Sequence, residues 1–406
     1  MRILLYATYP TQPIGYARVA YRLANWLAAQ PDVDLYYFGT SNYAEGACRD
    51  RTLDPRIHWI DVLAETNGRD VYGIDILASW MDKVKPDVFL IYNDIIVTCR
   101  AFNALLEWRK THPTTRVIAY LDLVYPFEKA DLVRHVDQHT DQIWVFSPCW
   151  ARNLEAMGVA PAKLHVFPHG FSADQLYRLP AAAAKAYFGI PTDTFVILNL
   201  NRNTYRKAQD ICIAAFLQFL KAESFDPRLR LFLQCDLTSP SGYGIADVLE
   251  VECIKQGLPP EKVRPHILRT MGPLSDTEVN LLYNACDVGI NTCIGEGFGL
   301  CNMEHAALGA PQLVSAVGGL ADIFAEGGGI LVQPRVWARV PTRLDEHSGD
   351  VGYCEASDFA AGMSVLFRDT ARRTREGAFA ASRFPQVYRW ETLLEDLRPR
   401  FFSPAS

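Results

Sequence analysis

The chain has 406 residues, 49% hydrophobic and 21% charged, enough to bury a large core and long enough for two domains rather than one. A formal net charge of -6 gives no general electrostatic footprint for nucleic acid or anionic membrane, and nucleic acid is not expected as a partner. No apolar run reaches the roughly 18 residues of a membrane span, Met1 to Tyr9 is too short for a signal-peptide core, and the ten cysteines include no C-x-x-C pair, which points to a cytoplasmic protein with no transmembrane segment and no zinc site.

Short apolar runs alternate with longer amphipathic stretches almost from end to end, the rhythm of βαβ units and of parallel sheets covered by helices on both faces. The first strand is expected over Ile3–Ala7, followed by the loop Thr8–Tyr16 and a helix over Ala17–Ala28. Gly15 in that loop lets a phosphate or sugar approach backbone, although the fingerprint G-x-G-x-x-G is absent and a plain helix-start glycine is the competing reading. Strands over Val33–Phe38, Val88–Tyr92, Val117–Leu121 and Ile143–Phe146 complete a first sheet. Asp32 and Asp34 spell D-x-D, yet they sit where a surface turn enters a strand and read as solvated. Asn93 with Asp94, and Asp122, end two of these strands, where open α/β sheets place ligands. Asp122 can orient a sugar hydroxyl or help accept a proton, and capping a buried helix is the alternative. His135 and His139 share a helix face, but Val136 stands where a zinc protease needs Glu, so they read as surface histidines. The rhythm lapses between Pro168-His169-Gly170 and the Ala-rich stretch after Pro180, the expected join of two domains, 1–172 and 173–384.

In the second half, strands are expected over Phe195–Leu200, Leu229–Gln234, Val263–Leu268, Val288–Asn291, Gln312–Ser315 and Gly329–Val332. After the first come Arg202 and Lys207, ahead of a helix over Asp210–Leu220. Fixed cations at such a point suit a leaving diphosphate, on which charge grows as its bond to a sugar breaks. Arg206 between them reads as solvated. The densest signal is G-E-G-F-G-L-C-N-M-E-H, where a strand runs into a Gly-rich turn holding Glu296 and a helix starts near Leu300 with Glu304 in its second turn. Gly297 and Gly299 let backbone approach a ligand, the helix N-terminus offers free N–H groups to a diphosphate, and two carboxylates can accept from sugar hydroxyls. Two glutamates on a solvated helix face are the bland alternative, but Glu296 precedes the helix and the helix is too apolar for solvent. His305 reads as structural. A second lapse at Arg383-Phe384-Pro385 precedes a last helix over Tyr388–Leu397.

Glu296 and Glu304, with seven residues between them, resemble the E-x7-E motif of retaining GT-B glycosyltransferases. The flanks Leu282-Tyr283-Asn284-Ala285-Cys286-Asp287, Ala310-Pro311 and Val317-Gly318-Gly319 resemble glycosyltransferase family 4 (glycosyl transferases group 1). The likeness runs from the first strand to Trp390 and is most apparent to members encoded by large DNA viruses of algae, the chloroviruses. It implies two Rossmann-like doubly wound domains facing a central cleft: an acceptor-binding domain at 1–172, a nucleotide-sugar-binding domain at 173–384, and a C-terminal helix, 385–406, crossing back to the first. It further implies that Glu304 holds the ribose and Glu296 the donor sugar. Arg202 and Lys207 would grip the diphosphate, with Gly15, Gly297, Phe298, Gly299 and Leu300 lining its approach. Asp122 stands where the family commonly has His, and joins Glu296, Lys207 and Arg202 as a candidate catalytic residue. The family's Gly after the Lys is Ala208 here, and its Gly-Gly in the first loop is Gly15-Tyr16. The function implied is retaining, front-face transfer of a hexose from GDP-mannose or a UDP-sugar to a hydroxyl of a glycan or glycoconjugate, with no cofactor besides the donor substrate and no metal. A nucleotide-sugar epimerase or hydrolase on the same scaffold, and a non-catalytic sugar-nucleotide or glycan-binding module, are the competing readings.

Overall fold

The structure is a computed structural model that describes residues 1–43, 48, 50–341 and 346–402. Seven strands, β1 (Arg2–Thr8), β2 (Asp34–Thr40), β3 (His58–Asp61), β4 (Val88–Asp94), β5 (Arg116–Asp122), β6 (Gln142–Val145) and β7 (Leu164–Val166), form one sheet in the order β3-β2-β1-β4-β5-β6-β7. Every pairing is parallel. Six more, β8 (Phe195–Asn199), β9 (Leu229–Leu233), β10 (Ile267–Leu268), β11 (Val288–Asn291), β12 (Gln312–Ser315) and β13 (Gly329–Val332), form a second parallel sheet in the order β10-β9-β8-β11-β12-β13. Both are the doubly wound arrangement that the alternation of apolar runs and amphipathic stretches implies. Because helices cover both faces, the central strands are apolar on both sides: Ile3–Ala7 of β1 and Phe89–Ile91 of β4 are fully buried. The strand order reverses beside β1 and β8, and at those points the carboxyl ends of β1, β4, β8 and β11 open toward one another.

Three expectations need correction. The expected strand over Val263–Leu268 is paired only at Ile267–Leu268; Pro260–Val263 is a helical turn and Arg264–His266 a 3-10 turn. Pro265 has no N–H to donate to a ladder, and the His266 side chain is spent donating from Nδ1 to the Leu229 carbonyl, 2.7 Å away. The lapse at Arg383-Phe384-Pro385 is no break, since the helix Thr370–Val387 runs through Pro385 and ends two residues later. The last helix is therefore Trp390–Phe402 rather than Tyr388–Leu397; residues 403–406 of the expected C-terminal segment lie outside the described residues. Strands β3 and β7, and an antiparallel hairpin of β14 (Val336–Arg339) and β15 (Asp350–Tyr353), are too short, at three or four residues each, to stand out in the sequence.

The chain leaves the first sheet through residues 167–180 and returns through residues 388–390. The two crossings lie side by side: Phe171 and Arg389 form a parallel bridge, Phe171 N–H donates to the Tyr388 carbonyl, and Trp390 N–H donates to the Phe171 carbonyl at 3.3 Å. The Trp390 ring lies flat on Gly170, where any Cβ would collide with it. Beyond this point the helix Trp390–Phe402 packs on the first domain, with Phe401 against Trp144 and Trp26.

Candidate active site

The site begins at the carboxyl end of β11. From Asn291 the chain turns through Gly295-Glu296-Gly297-Phe298-Gly299 into the helix Leu300–Ala307. Gly299 occupies the N-cap position at φ 90°, a conformation costly for residues with a Cβ, and no side chain caps the helix. Its first N–H groups are thus free for an anion, with the positive end of the helix dipole behind them. Asn291 fixes the turn from beneath: its Nδ2 donates to Glu296 Oε2 at 3.2 Å and to Asn302 Oδ1 at 2.9 Å.

Opposite this turn, at the end of β8, Lys207 Nζ donates to Glu296 Oε2, and Arg206 reaches Glu296 Oε1 at 3.5 Å and the Gly295 carbonyl at 2.8 Å. Burial pushes the Glu296 carboxyl up, but Lys207 and Arg206 outweigh it and hold it at about 2. Ala208 follows in the left-handed region, φ 46°, which accounts for glycine at this place in the family the sequence resembles. Arg202 is exposed in the same loop.

The first domain meets this turn at close range. A Cβ on Gly297 would collide with Asp122 Oδ1, and Trp150 Nε1 donates to the Gly297 carbonyl at 2.6 Å. Gly297 is thus required by the approach of the facing domain. Asp122 accepts a hydrogen bond from the Tyr16 hydroxyl; burial raises its carboxyl above the ordinary range against the pull of Tyr16 and Arg206. Nearby, burial drives His169 down to about 3, and its neutral ring meets the Tyr120 hydroxyl at 2.8 Å.

Glu304 takes another position. It is 3% exposed, and both its oxygens are engaged by Arg18 of the first domain, Nη2 to Oε1 at 2.7 Å and Nη1 to Oε2 at 2.9 Å, while the Tyr283 hydroxyl donates to Oε2 at 2.8 Å. Burial raises the Glu304 carboxyl, and Arg18 and Tyr283 lower it only in part. A second ion pair stands alongside, Arg51 bidentate to Asp276 at 2.8 Å on both arms.

Two cavities meet here. One of about 950 Å³ holds Gly15, Arg202, Lys207, Glu296, Phe298, Gly299 and Leu300 in its wall; six cationic side chains face four acidic ones, which suits an anionic ligand. One of about 640 Å³ lies on the first domain's side against Asn93, Asp94, Arg100 and Tyr72. Asp122, Arg202, Arg206, Tyr16 and Ile14 line both. The structure thus brings the sequence candidates together around one cleft, with two qualifications. The Phe298 ring is buried against His169 and Tyr388, leaving backbone for a ligand, and Glu304 stands behind Arg18. Asp94 caps the helix Ile95–Thr111 by accepting from Val97 N–H. Asp34, by contrast, lies at the amino end of β2 paired with Arg2 and His58, and His135 and His139 sit on a helix beside Phe102, all away from the cleft. Arg206, read from sequence as solvated, is corrected to a partly buried partner of Glu296, its side chain 15% exposed; its adjacency to Lys207 was the available signal. Arg18, Tyr16 and Trp150 were not singled out, and Arg18 left no trace in the pattern, because it lies with Arg22 and Asn25 on the polar face of Gly15–Ala28, opposite the buried Ala20, Leu23 and Leu27.

Residues 194–343, the stretch that supplies Arg202, Lys207, Glu296 and Glu304, match the family model described as glycosyl transferases group 1. Over that stretch the chain is similar to glycosyltransferases. A relative from Kineococcus radiotolerans, the D-inositol 3-phosphate glycosyltransferase, is 28% identical over 339 residues, 80% of this chain and 68% of its own. Two further bacterial relatives of that name are spanned over 60% and 64% of their lengths. These relatives lend no support to the resemblance to viral members. Among solved structures, sucrose-phosphate synthase from Thermosynechococcus elongatus superposes with a TM-score of 0.73 at 18% identity. HepE of Anabaena in complex with UDP and glucose gives 0.70 at 16%; all of both chains is covered in each case. The fold shared with these structures is that of two facing Rossmann-like domains. Among the described residues no helix is long and apolar enough to cross a membrane, no cluster of His, Cys, Asp or Glu is arranged to hold a metal, and the ten cysteines are free.

Proposed function

We propose that this protein is a glycosyltransferase that moves a sugar from a nucleoside diphosphate donor, GDP- or UDP-linked, to a hydroxyl of a polyol or glycan acceptor, with retention at the anomeric carbon and without a metal ion. The observation that carries this is the meeting of two cavities at Asp122, Arg202 and Arg206: a cationic one for the donor and a second for an acceptor, with the reacting sugar between. The diphosphate lies against Lys207, Arg202 and the uncapped helix N-terminus, the sugar against Glu296, and the ribose toward Glu304. These cations meet the charge that grows on the leaving phosphate, a preorganised stabilisation that needs no ion. Neither nearby carboxylate is free as a nucleophile, since Glu296 is held by Lys207 and Asp122 by Tyr16. The acceptor oxygen therefore forms its bond on the face the diphosphate leaves, and its proton passes to the departing phosphate oxygen as the sugar–phosphate bond breaks. The relatives named for D-inositol 3-phosphate support a polyol acceptor, and the HepE complex supports a UDP donor.

The test is calorimetry with UDP and GDP in the presence of a chelator, beside steady-state kinetics of two variants. Glu304→Gln should weaken the diphosphate and raise KM, because ribose contacts act equally in ground and transition states. Glu296→Gln should leave diphosphate affinity within about twofold and lower kcat by roughly an order of magnitude or more, because that ligand lacks the sugar. Reversed outcomes would swap sugar and ribose along the turn. Activity abolished by the chelator and restored by magnesium or manganese would end the metal-free reading.

A further inference from the structure

Glu304 does not line the donor cavity; Arg18 does, with the carboxylate directly behind it. The pair is buried, its side chains 15% and 4% exposed, and it joins the two domains, since Arg18 belongs to the helix Gly15–Ala28 and Glu304 to the helix Leu300–Ala307. Three bonds, two from Arg18 and one from Tyr283, occupy the carboxylate, which has about four acceptor positions, leaving one for an incoming hydroxyl. A ribose arriving here either displaces Arg18 or joins it. Charge-assisted, forked guanidinium–carboxylate bonds are roughly twice as strong as neutral hydroxyl bonds, and breaking this pair would strand two buried charges, so displacement loses and sharing wins. Arg18 is held in turn: its Nε lies 3.6 Å from Asp276, which Arg51 fixes from the same domain.

We propose that Arg18 is a positioning residue for the nucleotide: the acceptor domain, through this guanidinium, holds Glu304 in place for the ribose and so makes donor binding depend on the closed cleft. This rests on the reading of Glu304 as the ribose contact. The consequence is that both domains build the nucleotide site, and that the donor binds poorly to any state in which the cleft has opened.

The experiment measures UDP and GDP affinity by calorimetry, with kcat and KM, for the full chain, Arg18→Gln, Arg18→Lys and Glu304→Gln, each checked for folding by unliganded thermal unfolding. Arg18→Gln should weaken the preferred diphosphate by about tenfold or more while kcat at saturating donor changes by less than about threefold, and Arg18→Lys, which keeps the charge without the fork, should recover only part of the affinity. If Arg18→Gln does not fold, the Arg18→Lys loss decides. Affinity within twofold of wild type in both Arg18 variants, with Glu304→Gln weakened, overturns the proposal and leaves the ribose reading standing. Unchanged affinity in Glu304→Gln overturns both.

Discussion

Ala208 holds a left-handed backbone, φ 46°, between Lys207 and the helix Gln209–Ala222, and an L-residue there carries a cost of about 1–2 kcal/mol. Ala208→Gly should therefore stabilise the protein by about 1 kcal/mol, less the entropy glycine adds to the unfolded chain, and leave kinetics unchanged. Denaturant midpoints read it, and a lower midpoint would show that the Ala208 methyl, buried beside Tyr125 and Ile294, contributes more than its strain costs. Lys207 is a sharper case, because the ion pair makes it both a cation for the diphosphate and the chief group keeping Glu296 ionised. Lys207→Ala should lower kcat about a hundredfold, the effect of losing one preorganised electrostatic contact. It should also add a pH effect of definite sign. With Lys207 gone, burial of Glu296 is opposed only by Arg206 and Asn291, so its carboxyl rises from about 2 and protonates on mild acidification. The ratio of variant to wild-type activity should fall as pH falls; a flat ratio would mean Glu296 does not need its charge. The residue types at Glu296, Lys207 and Arg202 were legible because each follows a strand end where ligands gather. The pairing of Arg206 with Glu296 and the reach of Arg18 to Glu304 were not, since each joins residues far apart in the sequence, the second pair across the cleft.

At the scale of elements, what could be read was whatever periodicity and length make loud. Central strands such as β1 and β4 are runs of apolar residues buried on both faces, so their sequence admits little else. The short edge strands β3, β7 and β10 take their shape from neighbours rather than from their own residues, and Pro265 and Pro385 each misled in the opposite direction: one curtails an expected strand, the other sits within a helix near its end. The helix Leu300–Ala307 depends on one glycine at its N-cap. Gly299 sits at φ 90° with no room for a Cβ beside Leu320. Gly299→Ala should cost about 1–2 kcal/mol from the backbone alone, plus the displacement of Leu320, and should tilt the free N–H groups away from a diphosphate. The expected outcome is a lower unfolding midpoint together with weaker UDP or GDP affinity. A lower midpoint with unchanged affinity would separate the helix start from the diphosphate site.

Across the whole molecule, the chain crosses between the two domains twice, and the second crossing is the return through Tyr388, Arg389 and Trp390, paired with the first at Phe171. That the chain doubles back follows from its last helix being amphipathic with its apolar face, Leu393, Leu394, Leu397 and Phe401, spent on the first domain; the sequence displayed the helix but not its destination, because an apolar stripe does not name its partner. Trp390 sits at this joint, 5% exposed, its ring flat on Gly170 and facing Phe167 at 6.2 Å. Removing a buried tryptophan ring costs about 3–5 kcal/mol when the surroundings cannot close over the void, and here Gly170 offers no side chain to fill it. Trp390→Ala should therefore lower the unfolding free energy by an amount in that range, read as a lower denaturant midpoint at unchanged m-value. Because the ring ties the first crossing to the second, its loss should also loosen the cleft, so that diphosphate affinity falls while kcat at saturating donor is kept. Restoring volume with Trp390→Phe should recover most of the stability and most of the affinity together. If Trp390→Ala weakens stability but leaves affinity unchanged, the joint serves only to seat the last helix, and closure of the cleft is governed by the contacts across it, the ion pairs of Arg18 and Arg51 and the Trp150–Gly297 hydrogen bond among them.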